Sequence, residues 1–374
     1  MLGKTPELIS HWIGQQALPL WSQAGWDART GTVWEVLDHG GEPRQDCPRR
    51  LRVQARQAYC FASAADQAPH LPDLMEKAET LFRFAMTKGI DPETGHLAGL
   101  LNPDCSIRTA PHDLYDIAFM LLAASALIGA GGEIGAELAQ LEQALARLKA
   151  PRGWWESAEA AGGDGRRRQN PHMHMFECST ALYEATGEPR FLDMAEEALG
   201  LFREVFLQPD SIVLEYFTAD WGPVAEGQAV EPGHMAEWVY LLDRFETVSG
   251  CDSGVDLMRI FDQVLAARDA VGALPDRSQP RVETRRFWPQ TEFLKASIAL
   301  TRRGQELPSE AQPDLVLDML WRDYLEGPVA GGWYDKRHCD GTLLSDTMPA
   351  STFYHILVAF DMYRTQPWQR ESAA

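Results

Sequence analysis

No two cysteines stand close enough to make a C-x-x-C pair. The six, at positions 47, 60, 105, 178, 251 and 339, are scattered along 374 residues. A zinc site or disulfide framework is therefore not expected, and the cysteines read as free thiols of a reducing cytoplasm. No run of about 18 apolar residues occurs, which argues against a membrane span. The stretch Met1–Leu20 is broken by Lys4, Glu7, His11 and two glutamines, so no secretory leader is expected. No G-x-G-x-x-G follows a strand pattern, and no P-loop lysine motif or H-E-x-x-H is present. Nucleotide, dinucleotide and zinc-protease chemistry lose their usual signals. Basic residues are also in short supply: 34 Lys and Arg stand against 54 Asp and Glu, a formal net charge of −20. Nucleic acid and anionic membranes are thus unsuitable partners, and a small neutral molecule suits the chain better.

What is present is helix. Apolar residues make up 45% of the chain and recur at helical spacing in twelve stretches. The expected spans are Lys4–Leu20, Arg49–Ala65, Leu71–Thr87, Leu114–Ile128, Ile134–Leu148, Pro171–Ala185, Arg190–Val205, His234–Ser249, Gly254–Val271, Trp288–Arg302, Ala311–Glu326 and Ser351–Arg364. Short, turn-rich links follow the even helices and long links follow the odd ones. Short links make antiparallel pairs. The pattern predicts about six helical hairpins, preceded by one helix and closed by one. Gly31–Leu37 with Asp38-His39-Gly40-Gly41, and Gly331–Asp335 before Asp340-Gly341, look like small β-hairpins in the long loops.

Unusual polar residues recur on the even helices: Arg56, Tyr115, His174, His234, Glu292 and His355. Successive steps are 59, 59, 60, 58 and 63 residues, an internal period. Prolines 171, 232, 289 and 349 stand at or near four of the even-helix starts. Hairpins repeating around an axis bring all even N-termini to one rim, beside the long loops. The expectation is an all-α (α/α)6 barrel of one domain, residues 1–374. Its less charged even helices would be inner, its amphipathic odd helices outer. Amide donors at the rim would favour a developing negative charge.

The chemistry concentrates in Gln169–Ala185, QNPHMHMFECSTALYEA, where Asn170 suits an N-cap and Pro171 the first helical position. A two-residue step on a helix turns about 200°, so His172 and His174 do not readily face one ion. His174, in register with the repeat, is the better candidate. His234 in EPGHMAEW has Glu237 three residues on, on the same face. His355 in PASTFYH completes three imidazoles able to serve as acids and bases near neutral pH. Arg56 lies mid-helix in an apolar context and needs a carboxylate or a sugar oxygen beside it. Trp288, with Trp12, Trp21, Trp34 and Trp333, suits an aromatic pocket or simply a core. Arg166-Arg167-Arg168 reads as a solvated loop, with a phosphate grip as the alternative.

Seven segments in order carry a resemblance: VQARQAY around Arg56, DLYDIAF at Asp113–Phe119, NPHMHMFE at Asn170–Glu177, EPGHMAEW at Glu231–Trp238, WPQTE at Trp288–Glu292, GGWYD at Gly331–Asp335 and PASTFYH at Pro349–His355. Together they resemble the N-acylglucosamine 2-epimerase superfamily, which includes cellobiose 2-epimerases and aldose–ketose isomerases acting on mannose and sulfoquinovose. The resemblance implies the same barrel and histidine-mediated proton transfer through a cis-enediolate, without metal or other cofactor. It places catalytic histidines on His174, His234 and His355. Arg56 falls where the family holds the carbonyl end of the sugar, and Tyr115, Asn170, Glu237, Trp288 and Glu292 fall in its pocket. Having His174 points to the isomerase or cellobiose-epimerase branches. The leading expectation is interconversion of D-mannose and D-fructose, or a close relative of that pair, by a monomer or homodimer. The alternatives are a sugar 2-epimerase and, on the same fold, a glycoside hydrolase using Glu237 and Glu292.

Overall fold

The computed structural model describes residues 5–163 and 165–366. Twelve long helices run through those residues. The first, α1, covers residues 6–22, where Pro6–His11, Trp12–Ala17 and Leu18–Ser22 follow without a break; its expected start at Lys4 lies outside the described residues. Then come α2 (Leu51–Ala64), α3 (Leu74–Thr87), α4 (Leu114–Gly129), α5 (Gly135–Ala146) and α6 (Gln169–Thr186). The second half holds α7 (Pro189–Leu201), α8 (Pro232–Ser249), α9 (Leu257–Ala267), α10 (Phe287–Arg302), α11 (Pro313–Leu320) and α12 (Ala350–Arg364). Among the described residues no helix is long and apolar enough to cross a membrane, and the six cysteines are unpaired.

The even helices form a closed inner ring: α2 packs on α4, then α6, α8, α10, α12 and back to α2. Their sequences explain the placement. Helix α4, LYDIAFMLLAASALIG, is buried almost throughout and has no face to offer water. Helix α9, by contrast, buries only Leu257, Ile260, Phe261 and Val264, one stripe at helical spacing. The architecture is the expected (α/α)6 barrel. Its tightest hairpin turns at Gly187, whose φ of 70° suits a residue without Cβ, and Pro189 opens α7 at once.

The hairpin count differs from expectation. Five hairpins run from α2–α3 to α10–α11, and α1 pairs with α12 to close the ring. Trp12 meets Phe360 edge-on at 5.4 Å, and Trp21 stacks on Trp333 at 5.1 Å. A strand also crosses this seam: Val36–Asp38 pairs antiparallel with Thr347–Pro349. The expected hairpin closes at Asp38-His39-Gly40-Gly41, where Leu37 bridges Pro43 antiparallel, but its first arm, Gly31–Leu37, is split. Thr32–Val33 turns back onto Trp26–Asp27, and the next strand goes to the far end of the chain. The second expected hairpin also turns at Asp340-Gly341, where Arg337 bridges Leu343, but its arm is Lys336–His338 rather than Gly331–Asp335, and that arm also pairs with Thr284–Arg286. Strands this short find stability only against a neighbouring loop.

These strands set where the inner helices begin. Arg49–Arg50, Arg167–Arg168, Thr284–Arg286 and Thr347–Pro349 run directly into α2, α6, α10 and α12, and each is held by a strand of another long loop. The sixth residues of the inner helices are Arg56, Phe119, His174, Glu237, Glu292 and His355. Successive steps alternate between 63 and 55 residues, so the strict repeat is 118 residues, two hairpins taken three times. The sixty-residue beat mixed levels: Tyr115 is a second residue and His234 a third.

An Arg-Arg pair recurs with the same period, at 49–50, 167–168 and 285–286. The first arginine of each pair is buried against acids. Arg49 lies 2.7 Å from Asp27, Arg167 lies 2.9 Å from Glu156, and Arg285 lies 3.3 Å from Asp323. Of the 166–168 run, only Arg166 is exposed as a solvated loop predicts. Arg167 is core, and Arg168 is the last residue before α6.

Candidate active site

The inner N-termini surround a cavity of about 300 Å³. Eight of the nine sequence candidates line it: Arg56, Tyr115, Asn170, His174, His234, Glu237, Trp288 and His355. Glu292 does not line it and sits behind His355. A larger cavity of about 660 Å³ opens at the opposite end, beside Tyr59, Glu184 and Arg244, and holds none of these residues.

Each of the three histidines rests on a carboxylate through Nδ1. His174 lies 2.8 Å from Glu177 Oε2, His234 lies 2.9 Å from Glu215 Oε1, and His355 lies 2.7 Å from Glu292 Oε1. Such a contact fixes the ring; at His174 and His355 it leaves Nε2 for whatever enters the cavity, while His234 Nε2 also meets Asn170. The protonation states diverge. Burial lowers the pKa of His174 against the opposing pull of Glu177. Burial, then Arg56 and Lys295, hold His355 well below the ordinary imidazole value. Burial acts the same way on His234, but Glu215 and Glu231 outweigh it and lift its pKa to about 9. At neutral pH the cavity therefore holds two neutral imidazoles and one imidazolium.

Asn170 is not the N-cap, because the strand Arg167–Arg168 starts α6 one residue before it. Its amide nitrogen Nδ2 instead lies 3.0 Å from His234 Nε2, and its Oδ1 is buried without a partner. A charged His234 donates from both ring nitrogens, so it calls for this amide turned over, with Oδ1 toward Nε2. Trp288 packs over two histidines, its ring 5.1 Å from His234 and 5.5 Å from His355.

His172 belongs to another environment. It is fully buried, its ring nitrogens each 3.0 Å from the carbonyls of Arg168 and Trp154. Burial, then Arg167, push its pKa down to about 3. It fastens the start of α6 to the preceding loop.

The three-residue step predicts Glu237 within reach of the His234 imidazole or of a shared ligand; Glu237 lines the same cavity, while Glu215 and Glu231 hold the ring. The i,i+3 histidine–glutamate contact is realised in α6, by His174 and Glu177. Burial, then the nearby Glu292, push the Glu237 acid well up. It is a neutral acid facing the cavity, with Oε1 unpartnered.

Arg56 is the odd cation. Nη2 donates to the Tyr115 hydroxyl at 2.9 Å, Nη1 donates to the Ser351 carbonyl at 3.2 Å, and the guanidinium lies 4.0 Å from the Phe119 ring centre. Nε is buried without a partner. Among the described residues no carboxylate lies within ion-pair distance of it. Of the two partners its burial calls for, a carboxylate or a sugar oxygen, the first is not found among the described residues.

Residues missed from sequence are of two kinds: Arg50, Glu215, Tyr216, Glu231, Arg286 and Ser351 line the cavity, and Glu177, Lys295 and Tyr354 stand behind it. Tyr354 donates to Glu177, and Lys295 lies 2.6 Å from Glu292. Glu177 and Lys295 stand three residues after His174 and Glu292, a spacing legible in the sequence. Three groups of side chains bring enough donors together for a metal: His174 with Glu177 and Glu237, His234 with Glu215 and Glu231, and His355 with Glu237 and Glu292. In each, the histidine Nδ1 already meets a carboxylate, and at Glu292 a lysine ammonium fills the cation's place.

A family model described as N-acylglucosamine 2-epimerase matches residues 31–359. A mannose-6-phosphate isomerase of Rhizobium meliloti (strain 1021) is 36% identical, the match covering 94% of this chain and 94% of that protein. A cellobiose 2-epimerase of Ruminococcus albus is 25% identical over 90% of each. Among solved structures, one described as a D-mannose isomerase shares the fold with a TM-score of 0.83 at 19% identity, covering 95% of this chain and 97% of that one. Matched along nearly its whole length, the chain belongs to the N-acylglucosamine 2-epimerase family.

Proposed function

We propose that this protein interconverts an aldose and its ketose, D-mannose and D-fructose, by proton transfer through a cis-enediolate. The observation that carries the reading is Arg56, a buried cation without a carboxylate, beside two neutral histidines with free Nε2. An enediolate is the anion that such a site lacks. The cavity of about 300 Å³ lies at the small end of ligand pockets and suits one sugar ring.

The steps follow from the charges. His234, as imidazolium, protonates the ring oxygen while a neutral histidine takes the proton of the anomeric hydroxyl, and the ring opens. His355 Nε2 then removes the proton from carbon 2. Its electrons form the carbon 1–carbon 2 double bond, and the carbonyl pair moves onto oxygen 1, facing Arg56. The proton on oxygen 2 passes to oxygen 1 through His234. The carbon-bound proton returns from His355 to carbon 1 and leaves a ketone at carbon 2. No metal takes part.

A 2-epimerase remains the alternative because His174 is a second neutral base. Returning the proton from the opposite side of carbon 2 gives the epimer. The hydrolase alternative loses ground: it needs two carboxylates at the scissile bond, and Glu292 sits behind His355, paired with Lys295. A phosphorylated sugar is favoured by one observation. Glu35 and Asp276 accept from the side chains of Arg50 and Arg286, but Glu156 is taken by Arg167, leaving Arg168 only a 3.5 Å contact with Asp113.

The test is D-mannose, and in parallel D-mannose 6-phosphate, in deuterated water with a chelator, followed by NMR. Fructose from mannose is the expected product, with deuterium or retained proton at carbon 1. Glucose appearing first, deuterated at carbon 2, would transfer the reading to epimerase. Faster turnover of the phosphate ester would favour the Arg168 reading. A pH profile adds a second check. With the acid His234 at about 9, kcat/KM holds up to that pH and then falls about tenfold per unit as the imidazolium is lost. A profile flat to pH 10.5 would remove His234 from the acid role.

A further inference from the structure

Lys295 is fully buried on an inner helix, where an ammonium costs several kcal/mol even when paired. It touches nothing in the cavity. Its Nζ lies 2.6 Å from Glu292 Oε2, one turn back on α10, and 4.3 Å from the ring centre of Tyr240. The contact with Glu292 is an ion pair without aligned hydrogen-bond geometry. The other oxygen of Glu292, Oε1, lies 2.7 Å from His355 Nδ1. A line of contacts thus runs from ammonium to carboxylate to imidazole, across two helices.

We propose that Lys295 is a positioning residue: it keeps Glu292 ionised and so holds His355 with its proton on Nδ1 and Nε2 free. The proposal rests on the base role given to His355 above. The groups around the carboxylate make the lysine necessary. Glu292 faces Lys295 on its own helix, His355 on α12, Glu237 and the imidazolium of His234 on α8, and His174 on α6. Burial raises the Glu292 pKa above the ordinary carboxylate value, and the lysine opposes it most strongly, ahead of His174 and His234. Burial, then Arg56 from α2 and Lys295 itself, keep the imidazole uncharged.

Consider the same site without the ammonium. Glu292 takes one proton from solvent, becomes a neutral acid, and donates to His355 Nδ1. The imidazole must then carry its own proton on Nε2, and the nitrogen facing the sugar is no longer a base. Removing Lys295 leaves the imidazole in place and reverses its tautomer.

Two measurements on Lys295→Met test this. The first is the nitrogen-15 spectrum of histidine-labelled protein without substrate. In the native protein at pH 7, His355 should show a protonated Nδ1 and a bare Nε2, and Lys295→Met should exchange the two. Because no sugar is present, this readout can fail separately from the isomerase reading. The second is the pH profile of turnover. The acid limb of kcat/KM should move up by at least about one unit in Lys295→Met, with activity recovered at high pH and little change in KM. Lys295→Arg, which keeps the charge, should restore the native limb. A purely packing role predicts loss at every pH with the limb unmoved, and that result, or an unchanged tautomer in Lys295→Met, overturns the proposal. If Lys295→Met does not fold, the native spectrum decides: a bare Nδ1 on His355 overturns it, and a protonated Nδ1 supports it.

Discussion

His355→Ala lowers kcat about 10³-fold and leaves KM nearly unchanged. The variant removes the nitrogen proposed to hold the proton in transit, while the groups that bind the sugar stay. The fold has little reason to suffer, since Glu292 keeps its ion pair with Lys295, so no carboxylate is left buried alone. Fructose formation from mannose measures the loss. Exchange of the carbon 1 proton of fructose with solvent should fall in parallel, since one imidazole performs both. A variant within tenfold of the native rate would end the assignment of His355 as the base.

Arg56→Met should cost about 10²–10³-fold in kcat/KM, the usual effect of removing a donor aimed at a developing oxyanion. Its effect on stability should have the opposite sign. A guanidinium buried without a carboxylate costs free energy in the empty protein, so the methionine variant should unfold at equal or higher denaturant concentration. The pairing of lower activity with undiminished stability is the signature to look for. It follows from a cation placed for the transition state rather than for the fold. A large loss of stability would show that the contacts with Tyr115 and Ser351 outweigh the cost of the unpaired charge. Equal activity would show that the enediolate forms elsewhere.

Much of this was legible in the residues. The all-round apolar run of α4 and the single stripe of α9 separate inner from outer helices without coordinates. Eight of the nine sequence candidates line one cavity, because a repeat with parallel inner helices puts equivalent positions on one rim. The 118-residue recurrence of Arg-Arg was also there to be read. It was hidden by seeking one unusual residue per hairpin, whereas the strict repeat spans two.

What the sequence determined by itself is the frame: the helical period, the two-hairpin repeat, and which residue types stand at the inner N-termini. These depend on spacing along one chain, and spacing is local. Only the tertiary structure decided the partners and the charges. The i,i+3 spacing occurs at both His234–Glu237 and His174–Glu177, but only the second pair makes the contact. The long loop carrying Glu215 reaches His234 first. Glu292 looked like a wall of the pocket and lies behind His355, 63 residues away in sequence. That Arg56 finds no carboxylate, and that His234 is charged while His355 is neutral, are statements about burial and distance in three dimensions. Desolvation and Coulomb terms act through space, and no pattern along the chain reports them.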